Sequence, residues 1–127
     1  MNSDKDLEDI TRYLKLEKNT LGEDFSSVKY VGEFTYPIRD MGTAKTKVYE
    51  VQLNSGRKIF AVRGGYEYVG PLNNVISEEV PNAEVASKLH LYKLSVYSLR
   101  FGLSFEDLEE VADDLNLPEN FRIKKKV

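Results

Sequence analysis

The spacing of apolar residues changes twice along the chain, and each change marks a different kind of secondary structure. In the first stretch the apolar residues recur every three or four positions, as on one face of a helix: Leu7, Ile10 and Leu14. Ser3 stands in the N-cap position of this pattern, and Gly22 follows it as a helix stop. We therefore predict an N-terminal helix within residues 1–20.

From residue 28 the apolar period falls to two, which is the period of a β-strand. The alternating positions of this first strand are Val28, Tyr30, Gly32, Phe34, Tyr36 and Ile38. Pro37 and the stretch Arg39–Lys45 are predicted to end the strand, because proline cannot donate to a strand ladder. A second strand is predicted from the next alternating residues, Tyr49, Val51 and Leu53.

Turn-forming residues separate the remaining strands. Asn54-Ser55-Gly56 is a hairpin signal, so the second strand and the run Lys58–Arg63 should pair antiparallel. Gly64-Gly65 is predicted to interrupt the third strand as a bulge or turn, because glycine weakens strand interiors. Tyr66–Val69 is predicted as a short fourth strand. Residues 28–69 would then form an antiparallel meander of three or four strands.

Helical spacing returns near residue 81. The apolar positions of the helix predicted over residues 82–101 are Val85, Leu89, Tyr92, Val96 and Leu99. Ser104 is predicted to cap a last helix, with Asp107 in the capping-box position. The apolar face of this last helix consists of Leu108, Val111, Ala112 and Leu115. Residues 81–117 should therefore form a helical hairpin, which a basic tail follows at 122–127.

This order of elements predicts an α+β fold: an N-terminal helix, an antiparallel meander and two C-terminal helices. The length of 127 residues suits one domain, so we expect residues 1–127 to fold as a unit. Tight connections force antiparallel pairing, since parallel strands need a long crossover. One face of the sheet is expected to be covered by helices.

Composition narrows the class of protein. The chain contains no cysteine, which excludes disulfides and thiolate metal sites. Its first residues are polar, and no stretch approaches the ~20 apolar residues that span a bilayer. We therefore expect a cytoplasmic protein with no membrane association and no cofactor.

Charge is strongly segregated along the chain. Residues 102–121 contain seven acidic residues and no basic one. Six of these acids lie within nine positions of the last helix: Glu106, Asp107, Glu109, Glu110, Asp113 and Asp114. We interpret them as a surface that binds a basic protein partner, and the alternative is a merely solvated helix face. The leading functional prediction is a non-enzymatic regulator or inhibitor, of the kind that phages and bacterial mobile elements encode.

A second hypothesis is a small nucleic-acid-binding regulator, because basic residues and tyrosines lie on or beside the predicted hairpins. The basic residues are Lys45, Lys47, Arg57, Lys58 and Arg63, and they could neutralise phosphates. The alternative is that the lysines keep the edge strands soluble. The run Val111–Pro118, after Gly102-Leu103-Ser104, resembles the first helix and turn of helix-turn-helix regulators, which would imply DNA binding; a plain helical hairpin is the other interpretation.

Catalytic residues are few. Asp40 together with Glu50-Val51-Gln52 resembles the Asp…Glu-x-Lys nucleases, in which two carboxylates bind Mg²⁺ and a lysine assists the attacking water. Gln52 stands where that family has lysine, and a metal-dependent nuclease is our third hypothesis. The single histidine, His90, lies in an apolar helix and is predicted to be a packing residue. We therefore predict no enzymatic activity and no metal site.

Overall fold

The computed structural model describes residues 2–39, 42–67, 72–97 and 104–124, and its element order is the predicted α+β arrangement. The helices are α1 (Asn2–Leu16), α2 (Lys18–Leu21), α3 (Ala83–Tyr97) and α4 (Phe105–Leu115), followed by a 3₁₀ turn at Glu119–Phe121. The strands are β1 (Phe25–Ile38), β2 (Gly42–Leu53), β3 (Lys58–Gly65) and β4 (Leu72–Ile76). They form one antiparallel meander in the order β1-β2-β3-β4.

Apolar cores lie on both faces of the sheet, whereas the sequence predicted helices over one face only. The larger core lies between the sheet and helices α3 and α4; among its residues are Ala44, Val48, Val62, Ile76, Ala86, Leu89, Leu108 and Leu115. The smaller core lies under α1 and α2 and consists of Ile10, Leu14, Leu21, Tyr49, Val51, Leu53, Ile59, Ala61 and Val75. The central strands carry apolar residues on alternate faces, and only a sheet covered on both sides can bury them all.

Strand β1 contributes to both cores because its register with β2 shifts twice. Before the second shift, Tyr30 lies opposite Tyr49, which belongs to the smaller core. After it, Tyr36 lies opposite Ala44, which belongs to the larger core. Val31 is the residue without a partner at this shift, as expected of a β-bulge. The simple alternation predicted from the sequence is therefore wrong across residue 31.

The predicted ends of the first two strands are also wrong. Pro37 lies inside β1, opposite Thr43, because β1 is an edge strand and an edge tolerates a missing N–H. Strand β2 begins at Gly42, so most of the stretch predicted as a strand break belongs to a strand. The two strands consequently form a hairpin longer than the alternating apolar residues indicated.

The glycine pair Gly64-Gly65 does not interrupt β3, which runs through both residues without a register shift. A Cβ on Gly64 would collide with the carbonyl oxygen of Lys45 and would lie 2.7 Å from the Cα of Thr46. Glycine is therefore present because the β2 backbone passes too close for a side chain. The expected bulge was the wrong interpretation of this residue.

The fourth strand lies at Leu72–Ile76 and not at the predicted Tyr66–Val69. Tyr66 is buried, and its hydroxyl donates to the carbonyl of Leu91 in α3 at 2.8 Å, so this residue leaves the sheet to reach the helix. Tyr68 and Val69 lie outside the described residues.

The helix boundaries were predicted with mixed success. Helix α1 already includes Ser3, so Ser3 is not its cap, while Gly22 has the expected left-handed conformation after α2, with φ of 77°. Helix α3 begins at Ala83, where the Asn82 side chain accepts a hydrogen bond from the N–H of Val85; residues 98–101 of the predicted helix lie outside the described ranges. The capping box of Ser104 on α4 is confirmed. None of the helices in the described ranges combines the length and apolar character of a bilayer span.

Candidate functional site

The six acidic residues of α4 differ in their surroundings. Asp107 caps the start of the helix, and Glu110, Asp113 and Asp114 pair with arginines from other segments. Glu106 and Glu109 are exposed and line a surface groove. The helix therefore presents a narrower acidic surface than its sequence predicts.

Three of these carboxylates attach α4 to its neighbours in sequence and space. Asp107 accepts a hydrogen bond from the backbone N–H of Ser104 at 3.0 Å, and this bond lowers the pKa of the Asp107 carboxyl. Arg39, immediately after β1, lies 2.9 Å from Asp114 and 3.3 Å from Glu110 through its Nε. The hydrogen bond to Asp114 also raises the pKa of Arg39 above its usual value. Asp107 thus stabilises the start of α4, whereas Glu110 and Asp114 hold the helix against the end of β1.

Arg122 holds the segment after α4 against the end of that helix. Its guanidinium donates to Asp113 at 2.7 Å, to the carbonyl of Leu117 at 2.9 Å and to the carbonyl of Ala112 at 3.4 Å. These bonds tie the segment after α4 to the last turn of that helix. The first residue of the predicted basic tail is therefore part of the fold.

The returning segment forms one wall of a groove of about 420 Å³ beside α4. Three carboxylates line the groove, those of Glu106, Glu109 and Glu119. Its other lining residues are Tyr92, Phe105, Ala112, Arg122, Ile123 and Lys124. The groove thus combines an acidic rim with apolar and aromatic surface, which suits a ligand that is both basic and apolar.

Glu119 was not among the predicted site residues because it lies outside the acidic helix. It reaches the groove because the chain reverses after α4, where Asn116 adopts a left-handed conformation with φ of 54°. Asn in this position followed by Pro118 is a typical helix stop, so the sequence did contain the signal for the reversal. The sequence alone does not say toward which helix face the chain returns.

A second groove of about 540 Å³ adjoins the first on the other side of Ile123. Its lining is mainly apolar and comes from α3 and the C-terminal segment: Leu89, Tyr92, Val96, Phe121 and Ile123. The polar lining residues are Glu78, Lys93 and Asn120, and the first two form an ion pair with each other. Because Tyr92 and Ile123 line both grooves, the two form one continuous surface.

Two of the basic residues predicted to bind nucleic acid are occupied by helix α1. Lys47 forms an ion pair with Asp6, and this bond raises the pKa of the Lys47 ammonium. The guanidinium of Arg63 lies 3.6 Å from Asp6 and 4.0 Å from Asp9. The four side chains of these pairs are about three-quarters buried, so the two cations help α1 to cover the second face of the sheet.

The remaining basic residues do not lie together. Lys45 lies opposite Gly65 at one end of the β2–β3 pair, whereas Lys58 lies opposite Gln52 at the other end. With a rise of about 3.3 Å per residue, the seven steps from Lys45 to Gln52 separate these ends by roughly 23 Å. Lys58 is also 3.5 Å from Glu50, and Arg57 is exposed in the turn. The described residues after α4 form a 3₁₀ turn, where a helix-turn-helix regulator would place its recognition helix.

The described residues do not form the carboxylate site that a metal-dependent nuclease would need. Glu50 in β2 faces Lys58, and Asp40 lies outside the described ranges. Within those ranges, no three histidine, cysteine or acidic side chains are close enough together to hold a metal ion.

His90 belongs to α3 and is fully buried. Its Nε2–H donates to the carbonyl of Gly64 in β3 at 3.0 Å. Its Nδ1 has no hydrogen-bond partner among the described residues. Burial, opposed by the bond to Gly64, lowers the pKa of the imidazole to about 4. The residue is therefore a neutral packing group between α3 and the sheet, as the sequence predicted, and it faces none of the grooves described above.

The chain was compared with known protein families, with curated proteins and with solved structures, and none of them matches it.

Proposed function

We propose that this protein is a non-enzymatic interaction protein, a regulator or inhibitor, that binds a basic segment of a protein partner in the groove beside α4. The observation that carries the proposal is the convergence of Glu106, Glu109 and Glu119 around one groove that also has apolar and aromatic lining residues. These three carboxylates border a cavity that a ligand can enter. This narrows the proposed binding surface to one side of the helix.

The electrostatics of the groove favour a cationic ligand. Three carboxylates line it against two cations, and one of these, Arg122, is already paired with Asp113. Carboxylates in a concave surface concentrate the negative potential and steer basic partners toward it. The same carboxylates would repel a phosphate backbone, so a protein segment is a better ligand for this groove than nucleic acid.

The placement of the basic residues supports the same choice. Lys47 and Arg63 are engaged by α1, and the remaining cations of the hairpins lie at opposite ends of the sheet. A phosphate-binding surface needs several cations along one track. The nucleic-acid hypothesis thus lacks the side-chain arrangement that it requires among the described residues.

The proposal is tested by replacing Glu106, Glu109 and Glu119 with lysine. Partners are then captured from a lysate of the cells in which the protein occurs. The matched control reverses three exposed acids elsewhere in the chain: Glu8, Glu33 and Glu79. Both triple variants change the net charge equally, so a general charge effect would appear in both. We expect the partner to be lost with the groove variant and kept with the control.

The captured partner is then purified, and its association rate is measured at low and high salt. We expect the rate to fall as salt rises, since screening weakens steering beyond a Debye length of ~8 Å at physiological ionic strength. Equal capture by the groove variant would contradict the proposal. Capture of DNA or RNA that is lost on neutralising Lys45, Arg57 and Lys58 would establish the nucleic-acid hypothesis instead.

A further inference from the structure

We propose that the partner segment also carries an apolar side chain that docks in the neighbouring groove between α3 and the C-terminal segment. The inference rests on the proposed function and specifies the partner: a linear segment of a protein with an aliphatic or aromatic anchor next to basic residues. The apolar groove and the acidic groove adjoin each other, so one short segment can occupy both.

The apolar groove is built on a regular helical surface. Leu89, Tyr92 and Val96 lie at steps of three and four along α3 and form its floor. Phe121 and Ile123 close it from the C-terminal side. A volume of about 540 Å³ exceeds the size of any one side chain and lies within the range of ligand-binding pockets.

Ile123 forms the ridge between the two grooves and is held there by its backbone. Its N–H donates to the hydroxyl of Tyr92 at 2.8 Å, while the preceding Arg122 is bonded to the end of α4. The side chain itself remains 43% exposed and borders both grooves. A ridge with a fixed backbone and an exposed apolar side chain can contact a ligand on both flanks without rearrangement.

Charge decides which class of occupant suits this surface. On the acidic side the ridge faces Glu106, Glu109 and Glu119, whereas on the other side the charged pair Glu78 and Lys93 neutralises itself. A wholly apolar ligand would leave the acidic groove without a complementary group, and a wholly basic one would leave the apolar groove empty. A segment that alternates apolar and basic side chains satisfies both.

The test uses a display library of random dodecapeptides selected on the intact protein. We expect the selected sequences to combine Lys or Arg with an aliphatic or aromatic residue. One selected peptide is then synthesised and titrated against Ile123→Ser, which removes the exposed ridge and keeps its backbone N–H. We expect binding about tenfold weaker, which corresponds to about 1.4 kcal/mol.

The matched control is Leu16→Ser, because Leu16 is an apolar residue 80% exposed on α1, the helix over the other sheet face. This variant should bind the peptide as well as the unmodified protein does. Selection of basic residues alone, or unchanged binding by Ile123→Ser, would refute the inference that the partner carries an apolar anchor. The proposed function would not be affected by either result. Selection of apolar peptides without basic residues would overturn both. A failure to enrich any peptide would also refute the inference and leave the groove to a small apolar molecule.

Discussion

The carboxylate of Asp114 accepts hydrogen bonds from the backbone N–H and from the Nε–H of Arg39, the shortest of each at 2.9 Å. The two residues are 75 positions apart, and their bond joins the end of β1 to the last turn of α4. Asp114 thus connects the helix to the sheet, while Glu109, five residues earlier, lines the groove.

We expect Asp114→Ala to lower the free energy of unfolding by about 1–2 kcal/mol, because it removes an ion pair and leaves a backbone N–H without its acceptor. Glu109→Ala is the matched control, since it removes a carboxylate from the same helix without breaking a bond within the described fold. Urea denaturation of both variants measures the difference. Equal midpoints for the two would show that the Arg39 contact contributes nothing to stability.

Gly64→Ala should destabilise the protein by about 3 kcal/mol, since the new methyl group would press against the β2 backbone at Lys45 and Thr46. Gly32→Ala is its control in β1, because the nearest atom there is a Phe34 ring carbon at an ordinary 3.7 Å. Thermal unfolding should show a large loss for the first variant and a change within about 1 kcal/mol for the second. A similar effect at both positions would be inconsistent with the close approach of the strands.

Stability should fall as the pH drops from 7 to 5 because of His90. The folded-state pKa of the imidazole is about 4, below the ordinary 6.5, so only the unfolded chain takes up a proton in this window. The stability that depends on a neutral His90 is fully present above pH 6.5 and is lost as the pH falls toward 4. Between pH 7 and 5 the free energy of unfolding should fall by about 2 kcal/mol. The measurement is the urea midpoint at both pH values.

The control for this pH dependence is His90→Gln, whose amide can still donate to the carbonyl of Gly64 but does not titrate. Its stability should change much less over the same pH interval. A pH dependence equal to that of the unmodified protein would assign the effect to other groups.

Tyr66→Phe should cost about 1–2 kcal/mol, because the buried hydroxyl bonds to the carbonyl of Leu91 and lies 2.7 Å from the Ser95 hydroxyl. The control is Tyr30→Phe, at a side chain 44% exposed on the sheet edge, which should be nearly neutral. Calorimetry of the two variants compares them directly. A neutral Tyr66→Phe would mean that water replaces the lost bond.

Local patterns predicted those parts of the fold that depend on neighbouring residues. The capping box of Ser104, the apolar face of α4 and the alternation of Tyr49, Val51 and Leu53 all follow from spacing alone, and the structure agrees. The strand limits at Pro37 and Gly64 could not be predicted, because each depends on which strand lies alongside. A single sequence does not reveal that neighbour.

In the candidate site, too, local sequence predicted some features, whereas others depend on distant contacts. The concentration of acids on α4 could be predicted from the sequence. Which of them form ion pairs within the fold depends on Arg39 and Arg122, which come from other segments. Glu119 joined the site only through the reversal of the chain at Asn116. Contacts between remote segments therefore decide which acids pair with arginines of the fold and which line the groove.

The bulge at Val31 makes β1 a strand that changes sides partway along its length. Deleting this one residue would restore strict alternation and invert every side chain on one side of the deletion. Either Tyr30 and Val28 would turn toward α3, or Phe34 and Tyr36 would turn toward α1. This hairpin therefore cannot absorb a length change at residue 31, whereas the exposed turn between β2 and β3 at residues 54–57 gives the chain room for insertions.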